Sequence, residues 1–481
     1  MTPAGSIATL ADTIRRGETS AVATVEAAIG RIELSDPELG CFHETYHDLA
    51  LEAATETDTG IARGETPGPL AGVPIAIKDN IVTDFGHTTC GSKFLEHYQS
   101  PYTATAVQRL LNAGAIVLGK TRCDEFAMGS SGENSAFGPT RNPHDPSRVP
   151  GGSSSGSAAA VAAGFVPGSL GSETGGSIRQ PASLCGIVGC KPSYGRVSRY
   201  GLVAFGSSLD QIGPFGMTVS DVALLLGVMA GHDPHDSTSS QRDVPDYVAA
   251  MEQPIDDLRL GVPKQFLRDD NDAPVNAAVR KAIDVYRDLG AEIVDIDLPL
   301  TDYGIATYYV ISAAEASANL ARYDGIRYGR RAELRPDETL YDLYARSRAE
   351  GFGQEVRRRI MLGTYVLSAG YGDAYYQRAL QVRRLIREEY DQAFSKCHAL
   401  LGPTSPCTAF KIGAKTDPLA MYLCDLYTTN TNIAGICGIS IPCGHEDVDG
   451  VQLPIGLQIQ CQAFDEPTMF QIARLYEKTR K

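Results

Sequence analysis

Residues 151–192 read GGSSSGSAAAVAAGFVPGSLGSETGGSIRQPASLCGIVGCKP, with Glu173, Arg179 and Lys191 as the only charges. A flexible Gly/Ser linker is polar throughout and repetitive. This stretch instead interleaves Val161, Phe165, Val166, Leu170, Ile178, Ile187 and Val188, so it reads as buried. Glycine and serine buried at that density bring backbone close to backbone or ligand and leave hydroxyls and N–H groups available for chemistry. A nucleophile beside an oxyanion hole has that composition.

The chain around it has 481 residues, 43% of them hydrophobic, and a formal net charge of −15. That length suits one large domain or two to three average ones. The acidity argues against broad contact with nucleic-acid phosphates, which takes clustered Lys and Arg. The eleven cysteines include no CxxC pair. In apolar settings such as those of Cys185, Cys190 and Cys437 they read as reduced core residues of a cytoplasmic protein. The opening MTPAGSIATLADTIRRGE has no basic region followed by an apolar run, so no signal peptide is expected. No run of about 18 apolar residues is present to span a membrane.

Working outward from the stretch, residues 6–62 carry Ile7, Leu10, Ala11 and Ile14 at helical spacing, with Thr19, Ser20 and Asp36 as expected caps. Residues 73–77 predict a buried strand ending in Lys78, Asp79 and Asn80. A helix over 105–113 and a strand over 115–119 follow, the alternation of an α/β fold. Residues 231–254 are polar and turn-rich. Helices are expected over 275–289, 373–394 and 468–478, and strands over 292–297, 399–403, 439–442 and 454–460. The expectation is one α/β domain over 1–481. It has a helical segment (1–65), a catalytic core (66–220), a mainly helical insertion (240–398) and closing strands with a helix (399–481), the sheet being completed late.

Within the stretch, residues 171–177 read GSETGGS. Two glycines before Ser177 let consecutive N–H groups point into one concavity, which makes Ser177 a nucleophile candidate. A Gly-Gly turn capped by a serine has the same residues. Residues 152–156, GSSSG, match the G-x-S-x-G elbow of α/β-hydrolases, but a loop precedes them where the elbow needs a strand. No histidine sits in a triad setting, so the base must be another group. Lys78 closes an apolar run; a lysine losing hydration there has a lowered pKa and can accept a proton. The competing reading pairs it with Asp79.

Lys78, Ser153 and Ser177, with their flanks, resemble the amidase signature family, whose Ser–Ser–Lys spacing this chain matches and whose signature block it follows nearly residue for residue. Ser155, where that family usually has glycine, departs from it. The resemblance implies a large mixed β-sheet covered by helices on both faces. It implies Ser177 as nucleophile, Ser153 after a cis peptide bond as proton relay, and Lys78 as ultimate base. The N–H groups around Thr174, Gly175, Gly176 and Ser177 would form the oxyanion hole. No metal is implied.

Four further segments narrow the resemblance: DEFAMGSSGENSAFGPTRNP (124–143), DGIRYG (324–329), EVRRRIMLGTY (355–365) and SAGYGDAYY (368–376). They resemble the amidase-subunit branch of tRNA-dependent amidotransferases, with His144 and Cys437 as departures. That branch implies glutamine as substrate, a zwitterion whose site needs a cation and an anion away from the nucleophile. By the family pattern these are Arg359 and Asp425, with Tyr309 nearby; Arg357 and Arg358 are expected to be solvated. It also implies partner B and C subunits, which use ATP and Mg²⁺ and handle the misacylated tRNA, and no cofactor in this chain. A stand-alone hydrolase of another small amide, a structural subunit without activity, and nucleic-acid binding through Arg383, Arg384 and Arg387 are the competing readings.

Overall fold

The computed structural model describes residues 6–480; residues 1–5 and Lys481, the ends of the first and last expected segments, lie outside it. Eleven strands form one sheet: β1 (Phe42–Thr45), β2 (Pro74–Lys78), β3 (Ile116–Thr121), β4 (Gly168–Glu173), β5 (Val188–Lys191), β6 (Gln211–Gly216), β7 (Arg259–Pro263), β8 (Glu292–Ile296), β9 (Ala399–Pro403), β10 (Cys437–Val448) and β11 (Val451–Cys461). Their order is β1-β3-β2-β4-β6-β5-β10-β11-β9-β7-β8. β2 runs parallel to β3 and β4, and β7 parallel to β8 and β9; the remaining pairs are antiparallel. The sheet is therefore mixed, and it takes strands from every expected segment of the chain.

Successive side chains of a strand point to opposite faces, and the central strands are apolar on both. Ile75, Ile77 and Val117 enter one core, with helices Thr105–Asn112, Val219–Met229 and Glu466–Glu477. Ala76, Ile116 and Leu118 enter a second, under helices Ala21–Leu39 and Ser155–Ala162. Helices thus cover both faces. Ser155–Ala162, SGSAAAVA, has seven buried residues of eight; a helix apolar on every side is one enclosed by protein. Its small side chains bring its backbone against the sheet.

Three sequence expectations need correction. Asp36 does not cap a helix start. It lies inside Ala21–Leu39, and its carboxylate accepts from the N–H groups of Cys41 (2.6 Å) and Phe42 (3.1 Å) just past the helix end. Ser20, not Thr19, is the cap, its hydroxyl accepting from Ala23 N. The N-terminal segment also contributes β1, a four-residue edge strand too short to show a period. The insertion contributes β7 as well as β8, so it extends the sheet as well as covering it. No described helix is long and apolar enough to cross a membrane.

Candidate active site

The end of β2 places Lys78 in full burial. Its Nζ donates to Ser153 Oγ (2.7 Å), Ser172 Oγ (2.9 Å) and the Ser172 carbonyl (3.1 Å), using all three N–H groups of the ammonium form. Burial is the largest influence on this amine and pushes it down to about 8, against the opposing fields of Cys123, Asp124 and Asp210. Asp79 does not pair with it: that carboxylate accepts from Thr89 N–H and its hydroxyl.

Ser153 follows a cis peptide bond after Gly152. Asp124 N–H donates to the Ser153 carbonyl (3.2 Å), and the Asp124 carboxylate accepts from Gly132 N (3.1 Å) and Asn134 N (3.0 Å). A Cβ at Gly152 would collide with that carboxylate and lie 2.8 Å from Gly132 N, so only glycine fits. Gly152 N donates to Gln180 Oε1 (3.1 Å), whose amide donates to the Ser130 carbonyl (2.8 Å). Ser154, centre of the G-x-S-x-G match, is fully buried and donates to the Ser172 carbonyl (3.0 Å), leading into a helix from a loop. It is not an elbow nucleophile.

The loop 174–177 leaves the end of β4. Glu173 folds it back: its carboxylate accepts from the N–H groups of Ile178 (3.0 Å) and Arg179 (3.1 Å). Thr174 Oγ1 donates to Asp210 (2.7 Å). Gly176 has φ +153°, and a Cβ there would strike Thr428 Oγ1 and lie 2.9 Å from Asp425 Oδ1. Among the described residues, the N–H groups of Thr174, Gly175, Gly176 and Ser177 donate to no protein acceptor, although Ile178 and Arg179 after them do. Ser154 N–H donates to the Ser177 carbonyl (3.3 Å), joining this loop to Ser153. Ser177 Oγ itself makes no hydrogen bond among the described residues, and Ser177 caps no helix, since Ile178 holds that position of Arg179–Cys185. Ser177 is 9% exposed, whereas Lys78 and Ser153 are at 0%; of the three, only the candidate nucleophile has access to a ligand.

Beyond the loop lie the residues expected to bind substrate. Arg359 is buried on helix Gln354–Leu367, Arg357 is exposed and Arg358 half-buried. Arg359 Nε donates to Glu355 Oε1 (2.8 Å), which also accepts from Tyr422 Oη (2.9 Å). Its guanidinium lies 5.0 Å from the Tyr309 ring centre and 5.4 Å from that of Tyr422, the two rings stacking at 3.8 Å. Burial works against the charge of Arg359, but Tyr309 and Glu355 hold its pKa above the ordinary value. Asp425 is buried; Ser130 Oγ donates to its Oδ2, and its Oδ1 has no partner. Burial is the main cause that pushes this carboxyl up to about 7. A cavity of about 180 Å³ opens beside Arg359, Glu355, Tyr422 and Gly129. No group of three or more His, Cys, Asp or Glu among the described residues is placed to hold a metal ion.

This geometry combines a buried amine on a serine, a second serine on a loop of free N–H groups, and an unpaired carboxylate beside that loop. The family model for Amidase matches residues 23–470. This chain belongs to the amidase family. It is 55% identical to the A-subunit of glutamyl-tRNA(Gln) amidotransferase from Carboxydothermus hydrogenoformans, over 98% of this chain and 96% of that protein. The crystal structure of the corresponding subunit from Thermotoga maritima superposes with a TM-score of 0.79 at 43% identity, covering 94% of this chain and 90% of that one. The peptide amidase of Stenotrophomonas maltophilia superposes at 0.84 with 32% identity, over 99% and 96%.

Sequence reasoning missed several residues that build this amidase site. Ser172 accepts from Lys78 alongside Ser153, and Asn80 Nδ2 donates to the Ser172 hydroxyl (2.8 Å). Asp124, Asp210 and the Glu173–Arg179 pair fix the two serine loops. Their signal was charge inside otherwise buried, small-residue segments, where an isolated carboxylate is costly unless bonded. Arg383 and Arg387 form no free basic face: they donate to the carbonyls of Ile433 (3.1 Å) and Ala434 (2.7 Å), at the end of helix Thr429–Ala434. Arg384 is exposed and pairs with Glu388.

Proposed function

We propose that this chain is the glutamine-hydrolysing subunit of a tRNA-dependent amidotransferase. The observation that carries this reading is the bare Asp425 Oδ1 beside Gly176, with the Arg359 charge near enough to act on that carboxyl. A buried carboxylate oxygen lacking a donor is costly, and the α-ammonium of glutamine would supply one. Arg359 takes the α-carboxylate, Tyr309 lines the slot, and the side-chain amide then reaches Ser177.

In this mechanism neutral Lys78 takes a proton from Ser153 as Ser153 takes one from Ser177. A pKa near 8 leaves about a tenth of Lys78 neutral at pH 7. Ser177 Oγ attacks the amide carbon, and the N–H groups of Thr174, Gly175 and Gly176 with Ser177 hold the oxyanion. The proton returns through Ser153 to the departing nitrogen, ammonia leaves, and water hydrolyses the γ-glutamyl ester by the same relay. Ammonia passes to partner B and C subunits, which use ATP and Mg²⁺ to amidate Glu-tRNA(Gln), and in some settings Asp-tRNA(Asn), in the cytoplasm. The names of the relatives support this assignment. Co-expression with B and C subunits, followed by an assay of glutamine-dependent amidation of Glu-tRNA(Gln), tests it. Ser177→Ala should abolish glutamine use while free ammonia still supports amidation. Full glutamine-dependent turnover by that variant would overturn the reading.

A further inference from the structure

The Lys78 ammonium has three acceptors, and two of them belong to Ser172: its hydroxyl (2.9 Å) and its carbonyl (3.1 Å). Only the third, Ser153 Oγ (2.7 Å), lies on the relay. Ser172 is itself held by two further side chains. Ser154 Oγ accepts from its N–H (3.3 Å) and donates to its carbonyl (3.0 Å), closing a ring about its backbone. Asn80 Nδ2 donates to its hydroxyl (2.8 Å). That is the one hydrogen bond the Asn80 side chain makes among the described residues, and its Oδ1 has no partner. Asn80, Ser154 and Ser172 are all buried. A buried amide is costly unless its bonds are made, and this one spends its single bond on the residue that holds the base.

We propose that Ser172 and Asn80 are positioning residues for the base: Asn80 fixes the Ser172 hydroxyl, and Ser172 aims the Lys78 amine at Ser153. The inference rests on the reading of Lys78 as base given above and deepens it. A neutral amine keeps two N–H groups and one lone pair. The Ser172 carbonyl can only accept, so it retains one N–H. With the Ser172 hydroxyl accepting the second, the lone pair is left for the hydrogen of Ser153, as proton transfer from that serine requires. The lysine stem is flexible, and two contacts from one residue restrict it. The same contacts bear on where the amine titrates. Acceptors bonded to an ammonium favour its charged form, so Ser172 works against burial, as do the fields of Cys90, Cys123, Asp124 and Asp210.

The test reads the base without glutamine. A fluorophosphonate labels an activated serine with loss of fluoride, and its rate at Ser177 of the full-length chain, followed by mass spectrometry, reports neutral Lys78 at each pH. The wild-type rate should climb to a plateau above about 8. Ser172→Ala leaves one ammonium N–H without its acceptor, so the midpoint should move down to about 7 and the plateau rate should fall about tenfold. Asn80→Ala should move the midpoint the same way by less. It should lower the plateau about fivefold in the native background and hardly at all beside Ser172→Ala, because it acts through that hydroxyl. With glutamine, both variants should lower kcat and leave KM within about twofold. A midpoint that stays near 8 in both variants, or losses that add in the double variant, overturns the positioning role. A wild-type chain that does not label at Ser177 overturns the reading of the triad together with this inference.

Discussion

Two buried carboxylates, Glu173 and Asp425, lie against the loop that carries Ser177, and they are finished differently. Glu173 accepts from two backbone N–H groups and from Arg179 Nε (3.0 Å). Arg179 in turn donates to Thr431 Oγ1 (2.8 Å), the Thr428 carbonyl (2.8 Å) and Asn432 Oδ1 (2.6 Å). Burial alone would raise Glu173, but Arg179 holds it below the ordinary carboxylate range. Asp425, by contrast, keeps one oxygen bare and is pushed up to about 7. A saturated network fixes a loop; an unsaturated one, with the same residue types and similar burial, is built to receive something. Hydrogen-bond satisfaction, more than burial or charge, separates scaffold from site here.

The contrast is open to direct challenge. Ser177 is expected to be indispensable. Ser177→Ala should lower glutamine hydrolysis by about 10⁴-fold or more with an unchanged melting curve, and residual activity above a few per cent would remove it from the chemistry. On the saturated side, Glu173→Gln should cost about 3–5 kcal/mol of stability by stranding Arg179, measured by denaturant unfolding; an unaltered midpoint would mean the pair is not structural. On the unsaturated side, Asp425→Asn should raise the glutamine KM by about 100-fold, the loss of one buried charge-assisted contact, and change kcat far less. It should not destabilise the fold. The native state holds this carboxyl's proton up to about pH 7 while an unfolded chain releases it near 3.8, so stability falls as pH rises through that window, and asparagine removes the fall.

The smallest expected effects are in pH. The base form of Lys78 gains about tenfold per unit below pH 8, so kcat at saturating glutamine should climb toward a plateau above about 8, reported by stopped-time ammonia assays. On the proposed reading the ammonium of glutamine binds the ionised form of Asp425, so KM should rise as pH drops below about 7. A KM independent of pH across 6–8 would count against Asp425 as the ammonium partner.

How much of this was readable in the chain follows from what each element needed. Strands β2, β9 and β11 showed as apolar runs because both of their faces are covered. β1, β4, β5, β6 and β7 stayed hidden: β1 and β7 are short and join the sheet near its ends, where pairing partners decide more than local pattern, and β4 to β6 (GSLGSE, VGCK and QIGPFG) carry glycine, serine and proline in place of an apolar run. The Gly-Gly-Ser177 turn and the lysine closing β2 were legible from local chemistry, and their flanks pointed to a known family. Asp425 and Arg359 came from resemblance alone, since a carboxylate among apolar residues looks the same in sequence whether bonded or bare. The partner of Arg179 six residues away was not foreseen, because nothing in a Glu-x₅-Arg spacing says that a tight loop will bring the ends together.

The full enclosure of Lys78 has a bearing on what leaves this protein. Lys78 is fully buried, and its Nζ donates to Ser153 and Ser172. In the proposed mechanism the hydrogen removed from Ser177 passes through Ser153 to the nitrogen being expelled, and the product would start its journey as uncharged NH₃ instead of ammonium. Only the uncharged molecule has a lone pair to offer an activated ester. On that reading, sealing the amine from solvent would keep the relayed proton between the two serines and the leaving nitrogen.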